Sequence, residues 1–116
     1  MKVINLSGVR KNVVTMDGAK NVMKQIPISK TDGTPNLSLR VFTVEPDGFT
    51  PYHKHDYEQL NYIIEGNGIL INEKGEEQPL KKGDFALVLP NEMHQYKNLS
   101  KDEPLVFICG VPKEFE

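Results

Sequence analysis

Glycine-centred turns cut this chain into pieces too short for long helices, and no other feature limits its fold as strongly. Asp32-Gly33, Asp47-Gly48, Gly66-Asn67-Gly68, Lys74-Gly75 and Lys82-Gly83-Asp84 recur at intervals of roughly 8 to 19 residues. Between them lie runs rich in β-branched and aromatic residues: Leu37 to Val44, Gln59 to Ile64, Gly68 to Ile71, Phe85 to Leu89 and Leu105 to Val111. Such side chains pack well on a pleated surface and read as strands. No window carries the apolar period of a long amphipathic helix, and Val9 to Lys20 has room only for a short turn or helix. Short strands with regular glycine punctuation predict an all-β sandwich or small barrel.

The 116 residues form one domain, 1–116, with material for a single core and none for a second. A formal charge of −2 offers no broad basic field, so nucleic acid and anionic membrane surfaces are not expected partners. Apolar stretches reach only four to six residues, far short of a membrane span. The start, Met-Lys-Val-Ile-Asn-Leu-Ser, lacks the apolar run of a secretory signal. Cys109 is the only cysteine, which excludes an intrachain disulfide and suits a reducing cytoplasm.

The three histidines are His53, His55 and His94. Residues two apart on a strand share a face, so His53 and His55 are able to bind one ion together. His94 must come from another strand, after the Leu89-Pro90-Asn91-Glu92 turn. If the extended course continues past His55, Gln59 keeps the same parity and Glu58 does not; a kink at Asp56-Tyr57 would break that count. Three imidazoles suit a divalent ion such as zinc, iron, nickel, cobalt or manganese.

These residues resemble the two cupin motifs. Gly48, His53, His55, Gln59 and Gly66 match the first, and Gly83-Asp84 through Leu89-Pro90-Asn91, His94 and Asn98 match the second. The resemblance runs from about Thr34 to Pro112 and implies a double-stranded β-helix, the jelly-roll barrel. Thr34 to Pro46, Pro90 to His94 and Phe107 to Lys113 resemble the small single-domain manganese cupins with a four-histidine site. There are departures. Leu89 stands where proline is usual, and Asn91 where glycine is usual; Asn tolerates positive φ better than most residues. Gln59 replaces the usual glutamate or histidine, and the run H-x-H-x-x-E-Q is similar to that of uronate-linearising cupins. That similarity implies the ligand set His53, His55, Gln59 and His94. One divalent transition metal per chain is expected (manganese, iron, nickel or zinc), and the resemblance favours manganese.

Four neutral donors would leave a divalent ion its full charge, which favours Lewis-acid chemistry over higher oxidation states. The expected function is therefore a metal-dependent enzyme on a small anionic substrate, a sugar acid or oxo-acid, working as an isomerase, tautomerase or lyase. A manganese or iron oxygenase and a non-catalytic ligand-binding module are the alternatives. Strand parity puts Arg40, Phe42 and Val44 on one face and Phe107 and Cys109 on another. In the manganese cupins the matching positions line the pocket, which implies that Arg40 grips a substrate carboxylate. Tyr52, Asn61 and Tyr96 are candidate pocket or rim residues, and Cys109 is expected to be buried packing. The resemblance also implies a homodimer, paired through an N-terminal strand at Lys2 to Leu6 or Val22 to Ile28.

Overall fold

The β-branched runs become the strands. In the computed structural model, which describes all 116 residues, β1 is Asn12–Val13, β2 Lys20–Ile28, β3 Leu37–Phe49, β4 Gln59–Glu65, β5 Asn67–Asn72, β6 Glu77–Lys81, β7 Phe85–Val88, β8 His94–Lys97 and β9 Leu105–Pro112. Short 3-10 turns at Leu6–Gly8, Lys30–Asp32 and Lys113–Phe115 complete the regular structure. No helix is long and apolar enough to cross a membrane. Val9 to Lys20 holds a short turn, closed by the Ala19 N–H donating to the Met16 carbonyl, and β1, which pairs with Met23 and Lys24; it forms no helix.

All strand pairs are antiparallel, in the order β6-β5-β8-β3-β9-β4-β7, with β2 also on β3 and β1 on β2. Strand β3 is the hinge of this sheet. Its first part, Leu37 to Val44, pairs with β9 on one side, and β2 takes the other side from Leu39 onward. Its end, Phe49, reaches Lys97 of β8. One long strand thus belongs to both halves of the sheet, which curls to close over a core. That core draws Val22, Val44, Ile63, Leu80, Tyr96, Leu105, Phe107, Cys109 and Val111 from six strands. The fold is an all-β jelly roll, as the turn spacing and the motif resemblance led us to expect.

Gly66 shows why glycine stands at one corner. Its φ is +85°, and a Cβ built there would lie 2.1 Å from the Pro104 carbonyl oxygen. Only glycine lets β4 turn into β5 with β9 this near.

Two strand expectations change. The Val22–Ile28 segment is paired within its own chain to β3, and Lys2 to Leu6 carries no strand. The outer face of β3, β9, β4 and β7 is apolar: Leu37, Leu39, Leu60, Phe85 and Leu87 are between 41% and 80% exposed there.

Candidate metal centre

The histidines meet through backbone pairing. His53 and His94 form an antiparallel bridge: the His53 N–H donates to the His94 carbonyl (3.2 Å), and the His94 N–H donates to the His53 carbonyl (2.9 Å). Residues directly opposite in such a pair project to the same face. His94 opens β8, whereas His53 and His55 lie in an extended segment outside the named strands, held by this bridge and by the Asn91 N–H, which donates to the His55 carbonyl. The chain bends at Asp56-Tyr57 immediately after.

The imidazoles form a near-equilateral triangle. Ring centroids are 5.4 Å apart for His53–His55 and 4.9 Å for each pair with His94. One nitrogen from each ring lies within 4.8 Å of the others. Two rings are oriented from behind: His55 Nδ1 is 2.8 Å from the Tyr57 carbonyl and His94 Nδ1 is 2.8 Å from the Glu92 carbonyl. A carbonyl only accepts, so each Nδ1 carries the proton and each Nε2 turns its lone pair to the centre of the triangle.

Gln59 joins them, and the bonding behind it decides which amide end faces inward. Asn61 Nδ2 donates to the Ile108 carbonyl (3.2 Å), so its Oδ1 is the acceptor end. That Oδ1 receives the Tyr96 hydroxyl (2.5 Å) and Gln59 Nε2 (3.2 Å). Gln59 Oε1 is left facing His55 Nε2 at 3.2 Å. Two lone pairs therefore confront each other, an arrangement that a cation between them relieves. Glu58 is exposed and borders the outer apolar face, on the opposite side from this centre.

Electrostatics favours the metal-binding form. Burial, followed by the neighbouring His94 and His55, holds the His53 imidazole down to about 4. Burial also lowers His94, although its hydrogen bond to the Glu92 carbonyl opposes the shift. Both rings are neutral at neutral pH, with lone pairs free. Burial drives the Tyr96 phenol upward, so it stays a donor to Asn61. The donor set thus fits a borderline divalent ion: three imidazoles, two of them oriented by backbone carbonyls, and one amide oxygen converging on one point.

The centre opens into a cavity of about 200 Å³. Arg40 lines it and is 8% exposed. Its Nη2 donates to Cys109 Sγ (2.9 Å), its Nη1 reaches the Phe115 carbonyl (3.4 Å), and its guanidinium carbon sits 4.9 Å over the Phe42 ring. Its Nε has no partner, and no carboxylate pairs with it; the one ion pair in the molecule is Lys2–Asp32. Cys109 is fully buried packing, its thiol pushed up by burial against the opposing pull of Arg40. Tyr52, by contrast, points away, its hydroxyl donating to the Asn72 carbonyl.

Several wall residues gave no signal in the sequence. Lys24 comes from β2, Tyr57 from the bend, and Phe115 and Glu116 from the last turn. Tyr57 is stacked between His55 (centroids 3.9 Å, planes 6° apart) and Phe115 (4.1 Å, 9°). An aromatic residue just after an H-x-H pair was the one available hint.

Comparison with known proteins agrees with the architecture. The cupin domain family model matches residues 40–111. A gentisate 1,2-dioxygenase from Aquipseudomonas alcaligenes is 27% identical over 105 residues, covering 84% of this chain and 30% of its own. The chain therefore spans under a third of the length of that curated relative. The solved structure of the polyketide cyclase RemF from Streptomyces resistomycificus superposes with a TM-score of 0.92 at 26% identity, over 97% of this chain and 80% of that one. A predicted oxalate decarboxylase from Thermotoga maritima shares the fold, with a TM-score of 0.84 at 23% identity over 96% of this chain and 98% of that one.

Proposed function

This chain belongs to the cupin domain family, and from that premise we propose that it is a metal-dependent enzyme acting on a small anionic substrate. The convergence of three neutral imidazoles with the Gln59 amide oxygen, each but His53 held from behind by a hydrogen bond, carries this reading. Residues His53, His55, Gln59 and His94 would hold one divalent ion, and manganese is proposed on the sequence resemblance. When bound, the ion supplies a Lewis acid that polarises a substrate carbonyl or enol, in the manner of an isomerase, tautomerase or lyase.

The protein's own residues supply the rest. Arg40, buried and without an acidic partner, takes the substrate carboxylate. Lys24 shares the cavity wall, and its ammonium is lowered by burial and then by Arg40, so a second anionic oxygen there is welcome. Phe42, Phe107 and Phe115 keep bulk water from the reacting centre. Metal analysis of purified protein, followed by turnover assays after chelation and in His53→Ala, tests the proposal. Stoichiometric metal with activity lost on chelation supports it, and full turnover without metal sinks it.

The similarity to a gentisate dioxygenase favours a second reading, oxygen activation at the same ion. Oxygen consumption with enolic acids would select it over Lewis-acid chemistry.

The molecule is also proposed to work as a homodimer. The Val22–Ile28 segment already has β3 on one edge, and β1 covers only Met23 and Lys24 on the other. The apolar outer face of β3, β9, β4 and β7 is proposed as the contact, because a second copy would cover the leucines and Phe85.

A further inference from the structure

We infer that the ligand of this cavity is a carboxylic acid with an apolar, ring-sized body, and not a polyhydroxylated sugar acid. The inference rests on the reading that the cavity binds a small anion, and it specifies which one. Charge comes first. Arg40 and Lys24 both line the cavity, and the one carboxylate on its wall is already engaged. Glu116 accepts from the Ser38 hydroxyl, from Ser29 Oγ (2.7 Å) and from the Lys30 N–H (2.9 Å). The guanidinium, more than nine-tenths buried with an unpartnered Nε, has no anion of its own. A buried cation without a counter-charge is costly, so a ligand carboxylate is the complement this site lacks.

Most of the remaining polar wall is committed elsewhere, with the Thr50 hydroxyl hydrogen still free to donate. Thr50 Oγ1 accepts the Tyr96 N–H (2.9 Å), the Tyr96 hydroxyl is given to Asn61, and the Gln59 amide nitrogen is given to the same Asn61 oxygen. Among uncharged side chains off the metal centre, only the Tyr57 hydroxyl has no partner inside the protein. A sugar acid carries a hydroxyl on almost every carbon, and each one buried unpaired weakens binding by about tenfold. The rest of the wall is apolar: Val14, Met16, Phe42, Phe107 and Phe115. The stacked Tyr57 and Phe115 rings add a flat edge beside His55. The volume of about 200 Å³ somewhat exceeds the roughly 150 Å³ apolar cavity known to hold benzene, so one ring with a short acid arm fits.

Calorimetric titration with phenylpyruvate and with galacturonate, both oxo-acids with one carboxylate, tests this on metal-loaded and on chelated protein. Phenylpyruvate is expected to bind at least tenfold more tightly than galacturonate in both forms. Arg40→Lys, checked for folding by circular dichroism, should weaken phenylpyruvate about tenfold by removing the forked contact. Lys24→Met, at a half-buried position that leaves the core intact, should weaken it about threefold or more. Equal or tighter galacturonate binding, binding of neither acid, or phenylpyruvate affinity untouched by both variants overturns the inference. Protein that takes up no divalent ion yet keeps the preference for phenylpyruvate sinks the metal-enzyme reading and leaves this one standing.

Discussion

Asn61 is a small residue with a large structural consequence. Its side chain is buried, donates to the Ile108 carbonyl, and accepts from both Tyr96 and Gln59. Removing it in Asn61→Ala frees the Gln59 amide to rotate and leaves the Tyr96 hydroxyl unpaired. We expect metal affinity to fall about 10- to 100-fold, as for other supports behind metal ligands, and stability to drop by about 1–3 kcal/mol. Isothermal titration with zinc and thermal melts would check both. Gln59→Glu acts in the opposite sense on binding: a carboxylate at the ion should tighten divalent binding while reducing Lewis acidity, seen as higher affinity with slower turnover. Acid should disarm the centre. His53, held to about 4 against an ordinary 6.5, and His94, also lowered, are neutral when folded and charged when unfolded at intermediate pH. The unfolded chain then binds more protons, so their contribution to stability is full above about pH 6.5 and is lost as pH falls toward 4. Apo-protein melting temperature should decline over that window, and metal affinity with it; a flat profile would contradict the burial of these rings.

At the scale of elements, position depends on turns and on strand pairing. Asn91 takes φ +66°, as glycine would, and its N–H donates to the His55 carbonyl (2.6 Å). The second motif thus ties the loop of the first, and His94 follows three residues on. Asparagine serves here because its side chain tolerates the left-handed region, as the motif departure suggested. Gly66 is less forgiving. Gly66→Ala combines a left-handed backbone penalty with a collision at the Pro104 carbonyl, and should destabilise by about 3 kcal/mol or more, read by urea denaturation. The β-branched runs marked five of the nine strands, with ends within a few residues for all but β3. Strand β3 extends five residues beyond its run because Glu45 to Phe49 continue toward β8. Strand β6 was not foreseen. Glu-Gln-Pro-Leu-Lys reads as polar, but it lies at the end of the strand order, where Pro79 is tolerated and only Leu80 is buried.

At the scale of the whole molecule, the surface is uneven. The outer face of β3, β9, β4 and β7 presents on the order of 600 Å² of exposed leucine and phenylalanine side chain, the upper end for a monomer and near what one partner of a stable dimer contributes. Leu87→Lys, 55% exposed on the outermost strand of that face, should shift sedimentation from dimer to monomer at micromolar concentration without changing the melting curve of the monomer. A wild-type protein that sediments as a monomer refutes the dimer. Saturating metal should raise the melting temperature in either state, because the three histidines that could hold an ion come together only in the folded chain.

The sequence by itself determined the all-β class, five of the nine strands and the three histidines, because strand-forming runs, turn glycines and ligand type are local properties. Strand parity alone did not place Gln59, because the chain bends at Asp56-Tyr57 between it and the histidine pair. What the tertiary structure decided is everything that depends on segments distant in the chain. Only the bridge between His53 and His94 closes the triangle. Only Ile108 and Tyr96, brought to Asn61 from β9 and β8, turn the Gln59 oxygen inward and leave Glu58 outside. Lys24, Tyr57 and the adjacent pair Phe115 and Glu116 reach the cavity from three separate places, through contacts no local pattern encodes. Periodicity sets which way a side chain points; the closure of the curled sheet sets what it meets there.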